Sequence, residues 1–187
     1  MLNNIASMLG AGVAAVGDYQ SIQTTTLSAS QNTISFTSIP STYTHLQIRF
    51  ISRSTRAVGA DSISFRFNGD SAANYARHFI YGDGASAGAG STTSDTFANA
   101  GIGAGASAGA SMFGAGVVDI LDYTSTNKNK TIRTLSGADV NGSGGDLRLS
   151  SGLWFATPAA ITSVTLYANG GSSDFVTYSS FALYGIK

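Results

Sequence analysis

The stretch at residues 38–50, SIPSTYTHLQIRF, decides the fold. Pro40 fixes its own φ and has no N–H to donate, so SIPSTY predicts a corner rather than the middle of a central strand. After this corner apolar and polar residues alternate, and side chains two apart on a strand lie on the same face. One face is predicted to be buried and the other largely solvated. The buried set is Leu46, Ile48 and Phe50, and the opposite set is Gln47, Arg49 and Ile51.

The same alternation recurs along the chain from Tyr19 onward, with turn residues between the segments. Ile63, Phe65 and Phe67 alternate with polar residues, and no helix-length periodicity follows Val16. There are about nine or ten candidate strands, close to the eight of a jelly roll with extras. Residues 18–187 are therefore predicted to form an all-β, jelly-roll-like antiparallel β-sandwich. YQSIQTTTL (19–27) and NTISF (32–36) are predicted to make a first strand pair.

Residues 1–17 are apolar and carry no charged residue. Leu2, Ile5, Leu9 and Val13 recur at three- and four-residue spacing, which predicts one apolar face if residues 2–9 form a short helix. The segment lacks the basic start of a secretory signal and is shorter than the roughly 20 residues that span a bilayer. We predict a partly helical N-terminal arm whose four apolar residues form an assembly interface. Burial against its own domain is the alternative, ahead of membrane contact.

The charge and cysteine content narrow the classes of function. Ten Lys+Arg balance ten Asp+Glu, and charged residues make up 11% of the chain. Such a sparse, balanced charge provides no field to attract nucleic acid or anionic lipid. With no cysteine, the chain has neither disulfides nor thiolate metal sites. A freely diffusing monomer would have little colloidal protection, so the composition favours a subunit of a large assembly.

Two tracts are built almost entirely of small residues. The first, GDGASAGAGSTTSD (82–95), offers little apolar area to offset chain entropy and is predicted to be a mobile surface loop. The second, NAGIGAGASAGAS (99–111), is predicted to be an extended strand at a crowded subunit interface rather than a free loop, because Ala and Gly allow close backbone contact.

Sequence patterns associated with catalysis are present but lack their structural context. Ser86 and Ser107 each lie in a G-x-S-x-G match, yet neither follows a buried strand and precedes a helix. The glycine patterns GAGVAA (10–15) and GAGASA (103–108) lack the strand and helix of a phosphate cradle. His45 and His78 are the only histidines, which excludes a three-histidine zinc site. We predict no catalytic residue and no cofactor.

Two remaining positions have alternative interpretations. Asp70 lies between Asn68 and Asn74 in a turn, where oxygen-bearing side chains could collect a cation, but Asx-type turn bonds are favoured and no metal site is predicted. Trp154 is placed in the core or at a subunit interface ahead of a sugar-binding platform. Asp119 and Asp122 are three apart on a predicted strand and so face opposite sides, which argues against a paired-carboxylate glycosidase site.

Five longer motifs are distributed over nearly the whole chain. They are SIPSTYTHLQIRFISRSTRA (38–57), FRFNGDSAANYARHFIYGDG (65–84), VVDILDYTSTNKNKTIRTLSG (117–137), SGLW (151–154) and SSFALYGIK (179–187). Together they resemble a family of small tailed-phage virion proteins found in marine and cyanobacterial phages. The opening MLNNIASMLGAG also looks like the start of the stand-alone members of that family.

The resemblance implies a structural protein of the virion exterior, made in the host bacterial cytoplasm. We expect a non-enzymatic, homotrimeric capsid decoration, cement or head-appendage protein that is attached through its N-terminal arm to the major capsid protein or other virion proteins. The alternative is a tail-fibre or tail-tip protein that binds a host surface glycan through loops 82–95 and 139–146. A polysaccharide hydrolase is the remote alternative. Neither nucleic acid nor a membrane is an expected partner.

Overall fold

The computed structural model describes residues 17–141 and 145–187. Within these residues twelve strands form two antiparallel sheets, which confirms the predicted all-β sandwich. The predicted interface residues of the arm and its helix at 2–9 lie outside the described residues. The strands are β1 (Tyr19–Thr26), β2 (Thr33–Phe36), β3 (His45–Ser52), β4 (Ala60–Phe67), β5 (Tyr75–Gly82), β6 (Ala87–Asp95), β7 (Ala98–Ala104), β8 (Gly114–Ile120), β9 (Lys130–Ala138), β10 (Asp146–Trp154), β11 (Val164–Ala168) and β12 (Ser180–Ile186).

Eight of these strands have the order of a jelly roll. The four strands β1-β12-β3-β8 belong to the large sheet, and β2-β11-β4-β7 make up the small sheet. Within each set of four, strands from the two ends of the chain alternate, as in the double Greek key of a jelly roll. The predicted pairing of β1 with β2 is wrong, because the chain crosses to the other sheet between them. Instead β1 pairs with β12, and β2 pairs with β11.

The other four strands are two inserted hairpins that widen the large sheet. Hairpin β5–β6 follows β4, and hairpin β9–β10 follows β8. β9 pairs with β8, β10 with β9, and β5 with β10, so both hairpins extend the sheet on the same side. The full order of the large sheet in the described residues is β1-β12-β3-β8-β9-β10-β5-β6. We call β9, β10, β5 and β6 the extension.

The stretch around Pro40 forms the predicted corner and strand. β3 begins at His45, its predicted inward residues are almost completely buried, and Ile51 on the opposite face is 54% exposed. The hydroxyl of Tyr123 donates a hydrogen bond to the carbonyl of Pro40, which ties the corner to the turn after β8. Burial of alternate residues on β3, β4 and β12 between the sheets builds one continuous core.

The two small-residue tracts are ordered. Residues 82–95, predicted to be a mobile loop, form the end of β5, a turn and the edge strand β6. In the second tract, the predicted extended strand ends at Ala104, where β7 ends, and residues 105–111 form a loop. β7 is the edge strand of the small sheet and is buried against β8, β9 and β10 of the large sheet of its own chain. The loop after β7 is held by the Arg53 guanidinium, which donates hydrogen bonds of 2.7–3.0 Å to the carbonyls of Ala106, Ala108, Gly109 and Met112. Backbone contacts, rather than large apolar side chains, order these tracts.

Candidate functional surface

Two strands of the extension, β9 and β10, reverse the usual polarity of a sandwich strand over part of their length. On β9 the inward side chains of Thr134 and Ser136 are 2% exposed, whereas the outward Leu135 is 53% exposed. On β10 the inward Ser150 is buried, and the outward Leu147 and Leu149 are 58% and 51% exposed. Hydroxyl groups therefore lie inside and leucines outside, the opposite of what burial of apolar surface favours in an isolated domain.

Close packing of β7 against β9 explains the polar inner face. A Cβ added to Gly101 would lie 2.0 Å from the Ser136 hydroxyl oxygen, so the backbone of β7 leaves no room for larger groups. The Ser136 hydroxyl accepts a hydrogen bond from the Ile102 N–H, and the Thr134 hydroxyl donates one to the Asn99 carbonyl. Small hydroxyl side chains suit this contact because they satisfy the buried backbone groups of β7.

The outward residues of the extension join those of β3 and β8 in an apolar stripe across six strands. The strand registers place them in two neighbouring rows that run perpendicular to the strands. The first row is Val117, Leu135, Leu149, Ile80 and Ala89, and the second is Ile51, Ala115, Gly137, Leu147, Gly82 and Ala87. Its five largest exposed side chains, Ile51, Ile80, Leu135, Leu147 and Leu149, each expose more than half of their surface. Nothing in residues 17–141 or 145–187 covers this stripe.

A polar row runs parallel to the stripe on the same face. Its residues are Gln47, Asp119, Arg133, Ser151, His78 and Ser91, each paired with the next across neighbouring strands. The Gln47 amide donates a 2.8 Å hydrogen bond to the Asp119 carboxylate, and Arg133 lies 3.6 Å from that carboxylate. The stripe is therefore bordered by charged and polar groups that pair with one another. A patch with an apolar centre and a polar margin is typical of an interaction surface.

The stripe contains shallow hollows between its ridges. A hollow of about 510 Å³ lies between Ile51, Val117 and Leu135, and one of about 710 Å³ lies between Leu149, Ile80 and the edge strand β6. Leu147 protrudes between the two hollows as a ridge. Its cross-strand neighbours, Gly137 and Gly82, have no side chains to fill the space on either side of it. The surface is thus grooved, with positions where apolar side chains of a partner can insert.

The two loops predicted to contact a receptor meet at the end of the extension. The turn between β5 and β6 and the loop after β9 line a cleft of about 540 Å³. Asp83, Asp139 and Asp146 bring three carboxylates to this cleft. Asp83 is engaged in its own turn, where its carboxylate accepts hydrogen bonds from the N–H groups of Ala85 and Ser86. These hydrogen bonds lower the pKa of the Asp83 carboxyl.

Asp70 forms the predicted Asx turn. Its carboxylate accepts hydrogen bonds from the Ala72 N–H at 2.9 Å, the Asn74 amide at 2.9 Å and the Trp154 indole N–H at 2.7 Å. Partial burial alone would raise the pKa of Asp70, but these three donors outweigh it and lower the pKa below its usual value. Trp154 is buried and packs against Phe67 and Tyr75, so it belongs to the core.

The serine and histidine candidates have local structural partners. The Ser86 hydroxyl donates to Asp83 within the β5–β6 turn, and Ser107 lies in the loop that Arg53 holds. His45 accepts a 2.9 Å hydrogen bond from the Asp122 N–H, and His78 is exposed in the polar row. The structure does not bring these four residues together.

The two aspartates weighed as a glycosidase pair have separate roles. The sequence analysis placed Asp122 on a strand. β8 ends at Ile120, however, and Asp122 lies in the turn that follows. There Asp122 binds Lys128 at 2.7 Å, which lowers the pKa of its carboxyl. Asp119 instead belongs to the polar row. The strand assignment was therefore wrong for Asp122, and each of the two carboxylates has its own basic partner.

Wider comparisons add no assignment. Over the described ranges, no three or more His, Cys, Asp or Glu side chains are grouped so that they could hold a metal ion. The same part of the chain contains no helix whose length and apolarity would let it cross a membrane. Protein-family models, curated proteins and solved structures were all compared with the chain, and none of them matches it.

The stripe is the feature that sequence reasoning missed. The segment DLRLSSGLW (146–154) has leucines at 147, 149 and 153, a period of two that indicates a strand. Periodicity shows which residues share a face but not which face is buried. The available signal was the small hydroxyl residues Thr134, Ser136 and Ser150 at alternate positions of β9 and β10, which become informative once β7 is known to pack on them.

Proposed function

We propose that this chain is a non-enzymatic structural subunit of a bacteriophage particle, placed on the outside of the virion as a capsid decoration, cement or head-appendage protein. The observation that carries the proposal is the apolar stripe. Five aliphatic side chains that expose more than half of their surface on one sheet face indicate that this face is covered in the functional assembly.

Asp70 and Ser86, which the sequence offered as a cation ligand and a nucleophile, have local partners that support a structural role. Asp70 is saturated by hydrogen bonds from the indole, amide and backbone of its own turn. Ser86 is bound to its neighbour Asp83. The resemblance to small tailed-phage virion proteins supplies the setting, and the predicted arm residues Leu2, Ile5, Leu9 and Val13 supply an attachment segment.

A test of this function uses particles produced with altered chains. Deleting residues 2–13 should leave a folded domain by circular dichroism that no longer joins particles. The double substitution Leu135→Lys and Leu149→Lys should also prevent incorporation, because two ammonium groups would have to be desolvated in the interface. The matched control is Thr131→Lys with Ser151→Lys, on the same strands and face but outside the stripe. Normal incorporation of the deleted or stripe-altered protein would contradict the proposal.

The cleft at the end of the extension supports a second candidate, a tail-fibre or tail-tip protein that binds a host glycan. Loops at Asp83 and Asp139, distant in sequence, line the same cleft, and loops on a rigid scaffold commonly carry recognition. Under this function, purified protein should compete with phage adsorption, and the position of the protein in a cryo-EM map should be the tail. Absence of competition together with a position on the head would exclude it.

A further inference from the structure

We propose that the apolar stripe of one copy is the docking site for residues 1–16 of a neighbouring copy. This inference rests on the proposed assembly function and identifies the partner of its interface. It joins two features of the chain: an apolar segment without charged side chains in the sequence and an apolar, grooved face on the large sheet.

The chemistry of the segment matches that of the stripe. Residues 1–17 contain no charged side chain, so the segment brings none to the stripe, where Arg49 at the margin of the first hollow is the charged neighbour. Leu2, Ile5, Leu9, Val13 and Val16 repeat at three- and four-residue intervals, which supplies a row of apolar side chains. The stripe offers hollows of about 510 and 710 Å³ on either side of Leu147 to receive them.

The dimensions of the stripe favour a single segment over a globular partner. Six neighbouring strands span about 24 Å, and two outward positions per strand make a band about 10 Å wide. A stable interface between two folded domains usually buries about 800 Å² on each partner, more than this band provides. With the predicted helix at residues 2–9, about 12 Å long and about 10 Å in diameter, and extended backbone after it, the segment is long enough to cross the stripe. The stripe therefore fits one segment.

The position of β1 favours a segment from a neighbouring copy. Tyr19 is level with His45 across the sheet, and Ile51 lies six residues farther along β3, or about 20 Å away. Val16 precedes Tyr19 by three residues and can reach at most about 10 Å from it. Within one chain, Val16 therefore cannot reach the stripe. A neighbouring copy can place the whole apolar row on it.

The absence of cysteine in the chain allows a direct crosslinking test. Two full-length variants of different size are made, Leu9→Cys on a tagged chain and Leu149→Cys on an untagged chain, and their oligomeric state is measured by light scattering. They are then mixed and treated with a short bis-maleimide. We expect a covalent heterodimer that contains one chain of each size. The matched control replaces Leu149→Cys with Thr131→Cys, which is exposed on the same face about 13 Å from the first row of the stripe and should give at least tenfold less heterodimer.

Three outcomes would overturn the inference. The first is a heterodimer yield equal to that of the Thr131→Cys control. The second is crosslinking only within one chain, when Leu9→Cys and Leu149→Cys are combined in the same molecule. The third is a protein that remains monomeric at all concentrations. The proposed function is tested separately, because exclusion of the Leu135→Lys, Leu149→Lys protein from particles would still support a stripe interface even if no crosslink to the segment formed.

Discussion

β3 and β10 belong to the same sheet, and apolar and polar residues alternate along both strands. The apolar residues of β3 face the core, whereas the leucines of β10 face outward. On β3, Leu46 faces inward with 0% exposure and Arg49 faces solvent. On β10, Leu147 faces outward with 58% exposure, whereas Arg148 and Ser150 face inward. The difference lies in what covers each strand. β3 packs within the jelly roll, and β10 packs against the small-residue strand β7.

This contrast shows that the extension has two roles. Its inward residues Tyr75, Ile132 and Trp154 belong to the core, and β9 and β10 cover β7. Its outward leucines on β9 and β10 lie where the described residues provide no partner for them. Its leucines are therefore better explained by assembly than by folding.

The sharpest test of this contrast replaces a leucine on each strand with alanine. Leu46→Ala should lower the free energy of unfolding by about 2–5 kcal/mol, because it removes a fully buried side chain and leaves a cavity. Leu147→Ala should change it by no more than about 0.5 kcal/mol in the monomer, since the residue is largely exposed. Urea unfolding at a concentration where the protein is monomeric measures both. Equal effects would show that the two leucines have the same structural role.

Two glycines allow the inner and outer faces of β9 to be compared. Gly101 of β7 packs against the inner face, and Gly137 of β9 lies on the outer face. Gly101→Ala should destabilise the fold by about 2–4 kcal/mol, because its φ of +108° disfavours a side chain and the new methyl group would overlap Ser136. Gly137→Ala lies in the stripe, where its Cβ would be 3.5 Å from the nearest atoms, an ordinary contact. It should be close to neutral in urea unfolding. If Gly137→Ala lowered the free energy of unfolding by a similar amount, the outer face would be closely packed against other groups, which the structure does not show.

The Asp70 turn should make stability depend on pH. Asp70→Asn should cost about 1–3 kcal/mol at pH 7, because three donors lose a charged acceptor. The folded-state pKa of Asp70 is lowered, so its contribution is complete above the unfolded pKa of about 3.9 and is lost as the pH falls through the folded-state value. The difference in unfolding free energy between wild type and Asp70→Asn should therefore shrink at pH 3. A difference that is constant with pH would contradict the role of the carboxylate.

The smallest effect is expected at the loop after β7. Arg53→Lys removes the forked geometry that contacts four carbonyls and should cost about 1 kcal/mol. Amide hydrogen exchange should speed up in residues 105–113 and stay unchanged in β9 and β10. Protection that falls equally in all three segments would mean that the loop and the extension unfold together.

The sequence predicted the parts of the fold that depend on local chemistry. Pro40 located the corner, alternation located the faces of β3 and β4, and the number of strands indicated a jelly roll with additions. It did not predict the partner of β1, because that strand is completed by β12, far along the chain. The burial of β7 was also missed, since glycine and alanine have no periodic signal. The stripe was missed for the same reason, because the leucines of β9 and β10 face outward only when β7 occupies their inner side.

The pairing of β1 with β12 also sets the time at which this protein can fold during synthesis. Tyr19 lies opposite Ile186, so the first strand has no neighbour until residues 180–186 have left the ribosome. β3 would likewise lack its β12 partner until then. The jelly roll therefore closes only once β12 has been translated, and until then the apolar faces of the earlier strands lack part of their cover.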